Sequence, residues 1–319
     1  MHVRANDVRK AYGDVTALDG LSLEIPDRST FGLLGTNGAG KTTLFKLLVG
    51  HDRPDAGQLE IGGQDVTDAG RRIRERVGYL PERVGFPPAL TGREVLAFHS
   101  RMRGLPRDGR IDNAIERVGL ASEDADREIS GYSNGMRRRL GLATVLLHDP
   151  EVLILDEPTA GLDPRGVSEF HRIIERVQAE TDATVVFCSH VLSEVERLCD
   201  RIAILHDGQV LAEGRVSEFV AAESTVELRS DGDFDSVLEA VGSVPDVTVV
   251  GEENRGTITC APSRLPSVFA ALSPLEVSVT GIEQSDLEGA FHDRLRGDPS
   301  TDDGCGDVTD TERTAEGSV

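Results

Sequence analysis

The segment GTNGAGKT at 35–42 has the spacing G-x-x-x-x-G-K-[ST], which suits the gripping of a chain of phosphates. Glycines let successive backbone N–H groups converge on one point, and a helix starting there adds the positive end of its dipole. Gly35, Thr36, Asn37, Gly38, Ala39 and Gly40 form the expected cradle, with Thr43 just inside the helix. Lys41 can reach the β- and γ-phosphates, and the Thr42 hydroxyl can hold Mg²⁺ beside them. Further on, VLILDEP at 152–158 ends an apolar run on two carboxylates. Asp156 would hold Mg²⁺, directly or through water, and Glu157 would polarise the attacking water. Phosphoryl transfer needs in-line positioning more than covalent help. A chance glycine turn or a solvated acidic strand end could explain either motif alone. Together, in this order, they imply a nucleoside triphosphatase.

The elements around them fit that reading. Phe31 to Leu34 reads as a buried strand, and Leu44, Leu47 and Leu48 share one face of the helix after the loop. Apolar runs at 152–157 and 184–190 read as two more buried strands, and Val167, Phe170, Ile174 and Val177 line one helix stripe. Strands alternating with helices imply an α/β fold with a mostly parallel sheet covered on both faces. The start, through about Ile25, reads as short strands, and 83–150 as mostly helical, with breaks at Thr91-Gly92, Gly104-Leu105-Pro106 and Gly131. RIAILHDGQVLAEG reads as a hairpin turning at Asp207-Gly208. From about Ala221 the order strand, helix, strand, strand, helix, strand suggests a small α+β domain at 221–296. SDLEGAFHDRL is a candidate closing helix with Leu287, Phe291 and Leu295 packing, and the acidic 297–319 tail is expected to be disordered.

The stretch YSNGMRRRLGLA at 132–143, between the two phosphate-site motifs, resembles the signature sequence of the ABC ATPase family. The resemblance covers about 1–220 and implies a P-loop fold with a mixed sheet core and a helical subdomain near 83–150. Asn134 stands where the family has a second glycine and Met136 where it has glutamine, while Ser133 and Gly135 keep the family pattern. The resemblance implies ATP held between two copies of the chain, with Lys41 and Glu157 of one facing Ser133 and Gly135 of the other. A plainer reading of Ser133 is a helix N-cap. GLDP at 161–164 is similar to the family's D-loop, with Asp163 at the dimer seam. His190 matches its switch histidine, and Tyr12 the aromatic residue that stacks on adenine. Glu82 sits where the family has a metal-ligating glutamine that senses the permease, and it too can offer oxygen to Mg²⁺. The run from YLPE through VGFPPALTGREVLAFHSRMRG (84–104) resembles the ATPases of copper-associated transporters that mature nitrous oxide reductase. The resemblance places a membrane partner near Phe86 to Arg101.

Composition narrows the classes. No run of 18 or more apolar residues occurs and the start lacks an apolar h-region, so neither a membrane span nor a signal peptide is expected. That points to a cytoplasmic location, with a separate transmembrane permease carrying the chain to the membrane. Cys188, Cys199, Cys260 and Cys305 show no metal-ligand spacing and read as reduced thiols. Asp plus Glu number 56 against 34 for Lys plus Arg, a net charge of −22, and lysine occurs only at 10, 41 and 46. An acidic surface with arginine replacing lysine fits a salt-rich cytoplasm, where salt screens self-repulsion. An acidic face for one basic partner is the competing account, but the acidity is spread along the chain. Nucleic-acid binding is disfavoured, because it needs clustered Lys and Arg. Two alternatives to a transport ATPase remain: a soluble ABC ATPase of ribosomes or DNA repair, and a noncatalytic subunit regulated by nucleotide. The absence of a tandem cassette or heptad run weighs against the first, and Glu157 with His190 against the second.

Overall fold

A computed structural model describes residues 1–284 except 107, 220–223, 231–233, 253 and 262–263. The expected closing helix, the acidic tail and Cys305 lie outside the described residues. The chain opens on one long hairpin, β1 (Val3–Tyr12) and β2 (Val15–Ile25), where separate short strands were expected. Strand β3 (Thr30–Gly35) runs through the glycine loop into α1 (Lys41–Leu48). Strands β4 (Ala56–Ile61) and β5 (Gln64–Asp65) join the hairpin in an antiparallel sheet ordered β2-β1-β4-β5. Helix α2 (Val66–Arg76) and strand β6 (Val77–Leu80) follow.

The next stretch is helical only from Gly92; residues 81–90 are irregular. Helices α3 (Gly92–Met102), α4 (Arg110–Arg117), α5 (Ser122–Ala125) and α6 (Asn134–Leu146) occupy it, with a 3₁₀ turn at Ile129–Gly131. Thr91 starts α3 through a capping box with Glu94, the Thr–x–x–Glu device that satisfies two otherwise orphaned donors. Then come β7 (Val152–Asp156), α7 (Pro164–Glu180), β8 (Thr184–Cys188), α8 (Leu192–Leu198), β9 (Arg201–His206), β10 (Gln209–Arg215) and α9 (Val216–Phe219).

The central sheet is ordered β10-β9-β3-β8-β7-β6. All its pairings are parallel except the β9–β10 hairpin, whose Asp207 and Gly208 have φ of 45° and 76°. Those left-handed values suit a tight two-residue turn, which is why Asp-Gly marks it. The core strands are mostly apolar because each faces a core on both sides. In β7, Val152 and Ile154 face the antiparallel sheet and α1, while Leu153 and Leu155 face the helical side. Each such fully buried aliphatic side chain contributes about 1.5–3 kcal/mol.

After residue 223, β11 (Ser224–Ser230), α10 (Asp235–Val241), β12 (Val247–Glu252), β13 (Arg255–Cys260), α11 (Leu265–Leu272) and β14 (Val277–Gln284) follow in the expected order. They form a separate antiparallel sheet, β12-β13-β11-β14, over its own core of Val226, Leu228, Phe234, Val237, Ile258 and Val268.

Candidate functional site

Strands β3, β8 and β7 are adjacent and parallel, so their C-terminal ends share one edge of the sheet. Neighbouring strands lie about 4.8 Å apart, which puts the outer two of the three roughly 10 Å apart. The glycine loop leaves β3, the carboxylate pair leaves β7, and His190 follows β8. A cleft of about 230 Å³ opens at this edge, where open α/β sheets take their ligands. It is lined by Thr36 to Thr43, by Val15, Thr16 and Ala17, and by Glu82, Asp156, Glu157 and Cys188.

Gly40 has φ of 104°, and a Cβ there would lie 2.6 Å from the Ala17 carbonyl oxygen, so only glycine fits. It opens α1 with no side-chain cap, which leaves the first helical N–H groups to a ligand. The Lys41 ammonium donates to the carbonyl oxygens of Gly35 and, at 3.0 Å, of Thr36. It therefore lies folded over the cradle that phosphate oxygens would enter.

Asp156 is buried, and its Oδ2 accepts from the Tyr79 hydroxyl at 3.1 Å. Burial raises its pKa, helped by the charges of Glu157 and Glu82 and opposed by Tyr79 and Lys41. A buried carboxylate with two others nearby is an arrangement that a divalent cation would relieve. Thr42, Asp156 and Glu82 supply oxygen donors in the cleft, and this set fits Mg²⁺, which takes few protein ligands and keeps waters and phosphate oxygens. Among the described residues no group of three His, Cys, Asp or Glu side chains forms an all-protein cage.

Glu157 lies one residue past β7 with φ of 45°. That left-handed conformation costs a non-glycine residue about 1–3 kcal/mol and is tolerated only where the surroundings enforce it. Its N–H donates to the Cys188 carbonyl at 2.9 Å. Its Oε2 lies 2.7 Å from Nδ1 of His190. The carboxylate accepts, so Nδ1 carries the hydrogen, and Nε2 is left for a phosphate oxygen, to which it donates only when the ring carries both hydrogens. His190 sits two residues beyond β8 rather than on its last residue, because the strand ends at Cys188.

The other expected site residues stand apart from this cleft. Ser133 is the N-cap of α6, with Oγ accepting from the Met136 N–H at 3.2 Å, and it is exposed. Gly135 lies in the same first turn, and Asp163 caps α7 by accepting from the Gly166 N–H at 2.6 Å. None of the three lines the cleft. Tyr12 is 44% exposed, and its hydroxyl donates to Oδ2 of Asp52 at 2.7 Å. The Lys10 ammonium sits 5.3 Å from the ring centroid and also bonds Asp52. The hydrogen bond from Tyr12, the Arg53 N–H and Lys10 together hold Asp52 down at about 2.

Sequence reasoning passed over two buried charged residues beside the site. Neither Arg138 nor Glu194 is singled out by the motifs. Glu194 Oε2 accepts from Thr159 at 2.6 Å and from Ser189 at 3.1 Å, with His171 Nε2 3.7 Å from its other oxygen. Burial pushes its pKa up, but nearby His171 and the hydrogen bonds from Thr159 and Ser189 outweigh it and hold it low. The only available signal was position: Arg138 falls on the stripe of Leu142 and Val145, and Glu194 beside Val195 and Leu198.

A phosphate cradle, a strand-end carboxylate and its histidine on one parallel edge suit a P-loop ATPase cassette. The comparisons agree: the ABC transporter family model matches residues 18–160. The bacitracin transport ATP-binding protein BcrA of Bacillus licheniformis is 40% identical over 211 residues, 66% of this chain and 69% of that protein. The daunorubicin resistance ATP-binding protein DrrA3 of Streptomyces coeruleorubidus is 36% identical over 293 residues, 89% of this chain and 90% of its own length. The chain belongs to the ABC transporter ATP-binding proteins and is an ATPase. A dimeric post-hydrolysis structure of the cassette MJ0796, bound to ADP and Pi, shares the fold at a TM-score of 0.60 and 23% identity, covering 67% of this chain and 98% of that one.

Proposed function

We propose that this chain hydrolyses ATP as a homodimer and drives export through a separate membrane permease. The split of the site supports this most directly. The loop, Asp156 and Glu157 line one cleft, with His190 bonded to Glu157 beside it, while Ser133, Gly135 and Asp163 sit outside it, with Ser133 exposed at the start of α6. A second copy, turned by a two-fold axis, would bring those residues over the phosphates. The names of the relatives, bacitracin transport and daunorubicin resistance, favour an exporter over the copper-linked alternative. The permease would read the cargo. No helix among the described residues is long and apolar enough to cross a membrane, so the spans would come from that partner. We further propose the domain division 1–220 and 221–296, in keeping with the separate core of the second sheet.

In the proposed reaction Lys41 releases its loop carbonyls to bind the β- and γ-phosphates, and the uncapped start of α1 donates to their oxygens. Glu157 orients the attacking water and takes its proton, held in place by His190, whose Nε2 contacts the departing phosphoryl group. Tyr12 stacks on adenine, braced by Asp52. Mg²⁺, held by Thr42 and Asp156 with Glu82 nearby, would neutralise phosphate charge. The test is ATP-driven dimerisation. Protein carrying Glu157→Gln should shift from monomer to dimer in light scattering when ATP is added, and a strictly monomeric variant with the permease present would refute the shared site.

Two further outcomes are expected. Glu82→Gln retains ATPase activity within about threefold, because either side chain supplies one oxygen to the cation; a dead variant would show that the extra charge is required. The acidic surface is proposed as an adaptation to salt. The Debye length grows from about 3 Å at 1 M to about 10 Å at 0.1 M, so self-repulsion revives on dilution. The thermal midpoint should fall as NaCl is lowered across that range, and an unchanged midpoint refutes the adaptation.

A further inference from the structure

Arg138 is 5% exposed, on the inward stripe of α6, five residues after Ser133. Its guanidinium has five N–H donors, and each finds a backbone carbonyl. Nε donates to Pro158 at 2.5 Å, one terminal nitrogen to Pro81 at 2.7 Å and Glu82 at 2.6 Å, and the other to Asp156 at 3.1 Å and to Glu157. Burial lowers its pKa to about 10, so the group stays cationic at neutral pH. No carboxylate among the described residues accepts from it directly; carbonyl dipoles compensate the charge. Burying a cation is costly, and packing alone would be served by an aliphatic side chain like Leu142 on the same stripe.

The pattern of acceptors explains the charge. The carbonyls of Asp156 and Glu157 belong to the two peptide planes that flank the Glu157 Cα, and the orientation of those planes sets its φ and ψ. Pro81 and Glu82 carbonyls flank the Glu82 Cα in the same way. One guanidinium thus holds both planes around each of the two carboxylate residues at the cleft, including the left-handed turn at Glu157.

We infer that Arg138 is a positioning residue for hydrolysis, locking the backbone of Glu157 and Glu82 to the helix that begins at Ser133. It acts through Glu157 and so rests on the proposed role of that carboxylate. Through the same bonds, any movement of the start of α6 is passed to the carboxylates of the same chain. A subunit whose α6 caps a partner's nucleotide would thereby adjust its own catalytic edge.

The test compares Arg138→Met, which removes all five donors, with Arg138→Lys, which keeps three. Misplacing a catalytic group by about 1 Å costs roughly 10²-fold. ATP turnover of Arg138→Met should fall by about that factor, with KM for ATP within about threefold of wild type. The lysine variant should recover about tenfold of the loss. In the Glu157→Gln background, Arg138→Met should slow turnover by less than about threefold, because both substitutions remove one function. A folded Arg138→Met protein with wild-type turnover overturns the inference, as does a loss that multiplies fully with that of Glu157→Gln, or one matched by lost ATP affinity. Should the methionine variant fail to fold, the lysine variant decides by the same split of turnover and KM. Failure of the underlying reading looks different: Glu157→Gln would then turn over ATP as wild type does, whatever happens at Arg138.

Discussion

Glu157→Gln lowers ATP turnover by roughly 10²–10⁴-fold, the usual contribution of a positioned general base, while ATP still binds. The amide keeps the shape of the side chain and can still meet Nδ1 of His190, now 2.7 Å from Oε2, but it cannot take a proton from water. In the proposed site the phosphate contacts would come from the loop, Lys41 and α1, none of which the substitution touches, so nucleotide affinity should be retained. Steady-state phosphate release and binding of a fluorescent ATP analogue, measured on the same preparation, separate the two effects. Equal turnover in variant and wild type would remove Glu157 from the mechanism and revive the reading of a nucleotide-regulated, noncatalytic subunit.

Lys41→Ala should weaken ATP binding by roughly 30-fold to several thousand-fold, since truncating one member of a hydrogen-bonded charge pair costs about 2–5 kcal/mol. The ammonium now bonds the carbonyls of Gly35 and Thr36, within the loop that phosphate would fill. Without it the cradle keeps its N–H donors but loses its one full positive charge, and lysine is scarce in this chain. Calorimetric titration with ATP checks the loss. Binding within about twofold of wild type would mean that the backbone cradle and α1 suffice, and that Lys41 does not reach the phosphates. Lys41→Arg is not a substitute at this site, because the planar guanidinium cannot occupy the compact position between two carbonyls that an ammonium does.

Much of the site was legible because its signals are local. The glycine loop needs a strand before it and a helix after it, and both are written within about twenty residues as an apolar run and a 3.6-residue stripe. The Asp207-Gly208 turn was readable for the same reason: its backbone angles admit few residue types. The failures follow from the same physics. The first hairpin was missed because Gly13 and Asp14 form a weaker turn signal than Asp-Gly, and the start of the helical region was placed too early because 81–90 has no periodicity of its own. Ser133 fits two readings at once, helix cap and cross-dimer contact, and within one chain it caps α6; Asp163, expected only at the dimer seam, caps α7.

Residue types and spacing along the chain were enough to mark a nucleoside triphosphatase, since a phosphate cradle and a strand-end carboxylate are short-range devices whose geometry is built into a few consecutive dihedrals. Helical periodicity puts Arg138 on the stripe of Leu142 and Val145, but tertiary packing alone chose what it meets there. Arg137 and Arg139 are its neighbours in sequence and alike in type, and the packing of α6 against the sheet carries Arg138 to the carbonyls of Pro81, Glu82, Asp156, Glu157 and Pro158. The same holds for Glu194, whose partners Thr159 and Ser189 come from separate strand ends. Bonds between segments far apart in the chain leave no periodic trace, because what they require is proximity in space.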